Sequence, residues 1–92
     1  MYIVWDIGKN DIIKNRKGGG GITFSFIAHK IYSGDIIFEG AHPNATYYPH
    51  QRIFVVLYNN YPFVVPYIIL DEKNMLLKLI TAYPSRKAKL FL

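Results

Sequence analysis

The sequence predicts an α+β domain: an N-terminal strand and two helices packed on a three- to four-stranded antiparallel sheet, then a short basic C-terminal element. Three observations lead there. Apolar residues over 24–31 recur at helical spacing, those over 52–83 fall into three strand-length runs, and Asn- and Asp-containing turns separate the runs.

The elements follow in chain order. Residues 2–5, YIVW, read as a short strand with Trp5 as a core anchor, and Asp6 is placed to cap a helix from about Ile7 to Lys17. Ile12 and Ile13 give that helix a narrow apolar stripe, with Asn10, Lys14 and Lys17 on its polar face. Four glycines, 18–21, end it, because a glycine run cannot hold a helix. Thr23 is the expected N-cap of a second helix reaching Tyr32, in which Phe24, Ile27, Ala28 and Ile31 share one face. The β-branched and aromatic content of that stretch is also compatible with a strand.

Ser33-Gly34-Asp35 reads as a turn, IIFEG (36–40) as a short irregular strand, and AHPNATYYPHQ (41–51) as a loop. Three runs then form an antiparallel meander: 52–59, 62–70 and 75–83, turning at Asn59-Asn60 and at Asp71–Asn74. These strands are apolar on both faces, so both faces need a cover. Pro66 inside the second run implies a bulge or an unpaired N–H side.

A chain of 92 residues holds one domain, and with 51% apolar residues it can build a core without disulfides or metal. It has no cysteine, which excludes thiol nucleophiles and thiolate zinc sites and fits a reducing cytoplasm. No run reaches the roughly 18 apolar residues of a membrane helix, and the N-terminus lacks the basic start of a signal peptide. The expectation is a cytoplasmic protein with no membrane contact.

The net charge is +5, and its distribution matters more than its sum. After Glu72 there is no acid, while Lys73, Lys78, Arg86, Lys87 and Lys89 follow. Cations gathered this way attract polyanions, nucleic acid first, although an acidic protein would also answer. The stretch TAYPSRKAKL (81–90) is the densest case: either a solubilising tail or a phosphate grip.

Four stretches carry a family resemblance. IVWD (3–6), KNDIIKNRKGGGGITF (9–24), HPNATYYPHQRIFVV (42–56) and KLITAYPSRKAK (78–89), in this order, resemble the BrnT-type toxins of bacterial type II toxin–antitoxin systems. The resemblance implies a RelE-like fold, metal-independent RNA cleavage that inhibits translation, and neutralisation by a cognate antitoxin. Promoter DNA would be met only indirectly, through that antitoxin. The chain departs from the family pattern in its long glycine run and at Ala82, where many members carry an arginine.

Metal-free RNA cleavage needs a base for the 2′-hydroxyl, cations for the charge developing on phosphorus, and an acid for the 5′-oxygen. No cofactor enters. The catalytic candidates are Arg52, Lys78, Tyr83, Arg86 and His50; the RNA-binding candidates are Ser85, Lys87, Lys89, Lys14 and Lys17. Arg52 either presents a planar fork to a phosphate or is a solvated strand start. Lys78 is the one charge in an apolar run and either reaches a phosphate or snorkels from a half-exposed face. His50 lies two residues before Arg52 and titrates near neutrality, whereas His29, among apolar residues, reads as structural. His42 and His50 alone make half a zinc site. Tyr47, Tyr48 and Tyr61 are candidate base-stacking rings. The bland alternatives are a module that binds nucleic acid or a partner without cutting, and a structural protein that self-associates through an apolar sheet face.

Overall fold

The computed structural model describes residues 1–16, 18 and 20–92, so Lys17, one of the RNA-binding candidates, lies outside the described residues. The elements are β1 (Tyr2–Trp5), α1 (Gly8–Asn15), α2 (Phe24–Tyr32), β2 (Phe38–Ala41), β3 (Arg52–Tyr58), β4 (Tyr61–Asp71), β5 (Leu76–Leu79), β6 (Tyr83–Pro84) and a C-terminal 3₁₀ helix (Lys87–Phe91).

The α+β class holds, but the sheet differs from the expected three- to four-stranded antiparallel one. It is mixed and has six strands in the order β1-β5-β4-β3-β2, with β6 also pairing β4. The meander β3–β4–β5 is antiparallel as expected. The N-terminal strand does not lie against the sheet; it joins it, parallel to β5, with Ile3 opposite Leu77 and Trp5 opposite Leu79. The segment read as irregular supplies an edge strand, β2, antiparallel to β3.

The expected final strand, 75–83, breaks into β5 and β6, and Pro66 accounts for the break. The Pro66 carbonyl accepts the Ile80 N–H at 2.9 Å, but proline has no N–H to return the reciprocal bond. Pairing resumes only at Tyr83 opposite Val64, and the Ser85 N–H then donates to the Pro62 carbonyl at 3.1 Å.

The helices are held in different ways. Thr23 Oγ1 accepts the Phe26 N–H at 3.2 Å, and α2 buries Phe24, Ile27, Ala28 and Ile31, the i, i+3, i+4, i+7 stripe. Full burial of side chains such as Phe24 and Ile27 stabilises by about 1.5–3 kcal/mol each, which decides helix over strand here. Helix α1 buries only Ile13, so polar ties secure it. Asp6 Oδ1 accepts the Gly8 N–H at 2.9 Å, and Asn10 Oδ1 accepts the Phe24 N–H at 3.0 Å. The second bond joins the end of the glycine loop back to α1.

That loop is pinned. Gly18, Gly20 and Gly21 have φ of 80°, 62° and 90°, the left-handed region that glycine enters without a Cβ penalty. The Tyr58 hydroxyl donates to the Gly20 carbonyl at 2.8 Å.

The core has two parts, one per sheet face. Both helices cover a face formed by Ile3, Phe54, Val56, Phe63, Val65 and Leu79. On the other face the 3₁₀ helix places Ala88 over Ile53, Val55 and Val64, and Phe91 stacks on Phe38 at 4.0 Å. The basic tail is therefore also the second cover that the apolar strands require. The outer edge of β1 is guarded by the Tyr32 hydroxyl, which accepts the Ile3 N–H at 2.9 Å.

The β3–β4 hairpin turns on Asn59 and Asn60, at φ 52° and 61°, between the paired Tyr58 and Tyr61. Two consecutive left-handed residues mark a type I′ turn, which favours Asn-Gly. Asn60→Gly is expected to raise the denaturant midpoint, and Asn60→Val to lower stability by about 1–2 kcal/mol. Equilibrium urea unfolding of both variants checks the pair.

Candidate nucleic-acid interface

Where β5 gives way to β6, the chain end meets the glycine loop. A cleft of about 520 Å³ opens there, lined by Gly18, Tyr61, Pro84 and Arg86. Gly18 sits against Pro84; an added Cβ would lie 3.3 Å from the proline ring. The Lys89 ammonium lies 5.1 Å from the centre of the Tyr61 ring, a cation–π contact that holds it beside the cleft.

Arg16 reaches the strand segment that leads into the cleft. It directly follows α1, where the backbone turns extended, and its Nη1 donates to the Ala82 carbonyl at 3.1 Å. The sequence reading missed it, since nothing in the local pattern separates it from Lys14 on the helix face. Its placement puts a guanidinium beside Ala82. Among the described residues the ion pairs are Lys30–Asp35 and Arg52–Glu39, so Arg16, Arg86, Lys87 and Lys89 have no acidic partner there. Their charge faces outward uncompensated.

Tyr83 follows Ala82 and is half-buried. Burial pushes its hydroxyl above the ordinary tyrosine range, while the Arg16 guanidinium pulls partly the other way and Tyr48 adds to the rise. Tyr83 is thus a proton donor at neutral pH and not a base.

The other candidates are placed as follows. Ser85 Oγ accepts the Ala88 N–H at 3.3 Å, so this hydroxyl starts the 3₁₀ helix. Lys87 is exposed and borders a separate apolar hollow of about 340 Å³ beneath that helix. Lys14 is exposed in the last turn of α1. Lys78 pairs with Val4 and Ile68 and is half-buried; Leu77 and Leu79 on either side of it face the helices, so Lys78 faces away from them. His50 is exposed in the loop before β3 and is not among the residues lining the cleft. His29 is exposed as well, against its reading as a partly buried structural residue.

Arg52 is the main correction. To act on one phosphate with the other catalytic candidates Tyr83 and Arg86 it would have to stand beside them, and the register separates it from that corner. Arg52 pairs with Tyr67, whereas β6 meets β4 at Phe63 and Val64, roughly 10–13 Å further along the strand. Arg52 also lies on the helix-side face with Phe54 and Tyr67, while Tyr83 packs on the opposite one. Its Nε instead donates to Glu39 Oε2 at 2.7 Å and to the Tyr67 hydroxyl at 3.2 Å, and Tyr67 donates to the same Glu39 oxygen at 2.5 Å.

This trio shifts its members in opposite directions. The Arg52 hydrogen bond, with help from Tyr67 and against the cost of burial, holds the Glu39 carboxyl below its usual range. Burial foremost, then the Glu39 carboxylate, pushes the Tyr67 hydroxyl up to about 12. Among the described residues no group of three or more His, Asp or Glu side chains is arranged to hold a metal ion. No helix there is long and apolar enough to cross a membrane.

The pH dependence follows from these directions. Tyr67 ionises later in the folded chain than in the unfolded one, so its contribution is full below pH about 10 and is lost as pH rises towards about 12. Glu39 contributes above its unfolded value, about 4.3, and loses that contribution as pH falls through the lower folded value. Tyr67→Phe is expected to flatten the alkaline limb of a stability–pH curve and Glu39→Gln the acid limb, both read by urea midpoints. No family model matches the chain, and no curated protein or solved structure matches it.

Proposed function

We propose that this chain is the toxin of a type II toxin–antitoxin module, an endoribonuclease that cleaves RNA without a metal at the cleft between the glycine loop and the C-terminal corner. The observation that carries the reading is the Arg16 contact with the Ala82 carbonyl, two residues before the Pro84 that lines the cleft with Tyr61 and Arg86. It supplies a guanidinium where the resembled family's arginine is absent from the sequence. The RelE-like fold belongs to the same reading, supported by the element order: strand, two helices, then an antiparallel meander.

In this reading Arg16 and Arg86 hold one backbone phosphate and offset the charge that grows on its oxygens as the 2′-hydroxyl attacks phosphorus and gives its proton to solvent water. Tyr83 keeps its proton at neutral pH but lines the hollow beneath the 3₁₀ helix, so in this reading it donates to the departing 5′-oxygen from beside the cleft. Tyr61 offers a ring on which a neighbouring base stacks. The cognate antitoxin would carry acidic residues to cover the cations, and promoter DNA would be contacted through it alone. The protein would work in the cytoplasm, where its RNA is.

A second reading, a module that binds RNA without cutting it, is favoured by one observation. No histidine or carboxylate is among the residues lining the cleft, so a group to accept the 2′-hydroxyl proton is missing from its described lining.

One experiment separates the two. Purified chain is incubated with single-stranded RNA in EDTA, and both binding and cleavage are measured. The toxin reading expects cleavage that falls about tenfold or more in Arg16→Lys and in Arg86→Ala, with circular dichroism unchanged. RNA left intact but bound, with log affinity falling by about 0.7 per phosphate contact against log salt, selects the binding module. Intact RNA with no binding ends both.

A further inference from the structure

We propose that the hollow beside Arg52 is a binding site for a small apolar carboxylate, a free aryl or branched alkyl acid. The inference does not rest on the RNA reading, since this site shares no lining residue with the cleft and lies at another level of the sheet. The hollow measures about 330 Å³, near the lower end of ligand pockets of roughly 300–1,000 Å³. Its lining is Met1, Phe54, Ile69, Met75 and Leu77 together with the polar Arg52, Glu39 and Tyr67. Tyr67 stacks on Phe54 at 4.4 Å, which makes one wall a continuous aromatic surface.

The guanidinium is built as a fork awaiting an anion. Only its Nε–H is engaged, by Glu39 and Tyr67; among the described residues its two terminal amino groups have no protein acceptor. Two contacts at Nε fix the plane of the group and leave the outer edge free for a bidentate carboxylate. The side chain is 44% exposed, so the edge is reachable.

The apolar part of the site also calls for an occupant. Ile69 and Met75 are 42% and 46% exposed on the hollow's walls, an apolar cluster next to a charged fork. A ligand with an apolar body and one carboxylate satisfies both ends. A phosphate would engage the fork alone, and a neutral hydrocarbon would leave it unused. The remaining charge on Glu39 sets the limit on affinity, because it lies beside the incoming anion.

The test is an NMR titration of the whole chain with phenylacetate, using phenylacetamide as the neutral control. Phenylacetate is expected to shift signals of Phe54, Tyr67 and Leu77 and to bind about tenfold or more tighter than the amide. Arg52→Lys, which keeps the charge and loses the fork, should weaken binding about tenfold. Glu39→Gln, which keeps an acceptor for Nε–H and removes the neighbouring negative charge, should tighten it. Equal binding of acid and amide, unchanged affinity in Arg52→Lys, or shifts confined to residues outside the hollow would each overturn the proposal. A peptide ending in a free Phe carboxylate that binds tighter than phenylacetate would overturn the free-acid assignment.

Discussion

The structure depends on one strand that is buried on both faces. β4 runs eleven residues through the middle of the sheet, and Pro62 to Tyr67 are all buried. Such a strand cannot present a face to water without exposing a continuous apolar surface, so each side must be covered. Two helices answer on one side. On the other, the lysine-rich C-terminal segment supplies cover together with Ile37 and Phe38. Its 3₁₀ helix resolves the conflict by turning Ala88 inward and its charged side chains outward. The cationic corner therefore stands on the segment that covers this side of the sheet, anchored there through Ala88.

The prolines of β4 decide where that corner stands. Because Pro66 returns no hydrogen bond, the last meander strand cannot run straight through, and the chain steps away before rejoining at Tyr83. The step exposes the Ala82 carbonyl to Arg16 and brings Pro84 against Gly18 of the glycine loop. A ladder defect, a basic tail and a pinned glycine loop thus meet at one place. The cations there face no acid among the described residues, whereas Arg52, equally prominent in the sequence, is held by Glu39 and Tyr67. Two arginines of the same chemistry are separated in role by their neighbours alone.

Helix α2, the antiparallel meander and the Asn59-Asn60 turn were legible in the sequence because each is written in local chemistry. They rest on a 3.6-residue stripe with a Thr cap, strand-length apolar runs, and a dipeptide that tolerates left-handed backbone. The basic corner was legible as a cluster for the same reason, its residues being adjacent in the chain. Arg16 was not, because its partner Ala82 lies 66 residues away, and neither was the Glu39 partner of Arg52.

By itself, then, the sequence determined the α+β class, helix α2 and the excess of cations late in the chain. Only the tertiary structure decided that β1 enters the sheet parallel to β5, that the final strand breaks, and which arginine joins the corner. Those outcomes turn on strand register and on which face a side chain takes, and a shift of one residue reverses the face. Register is fixed by packing between segments far apart in the chain, so no local pattern encodes it.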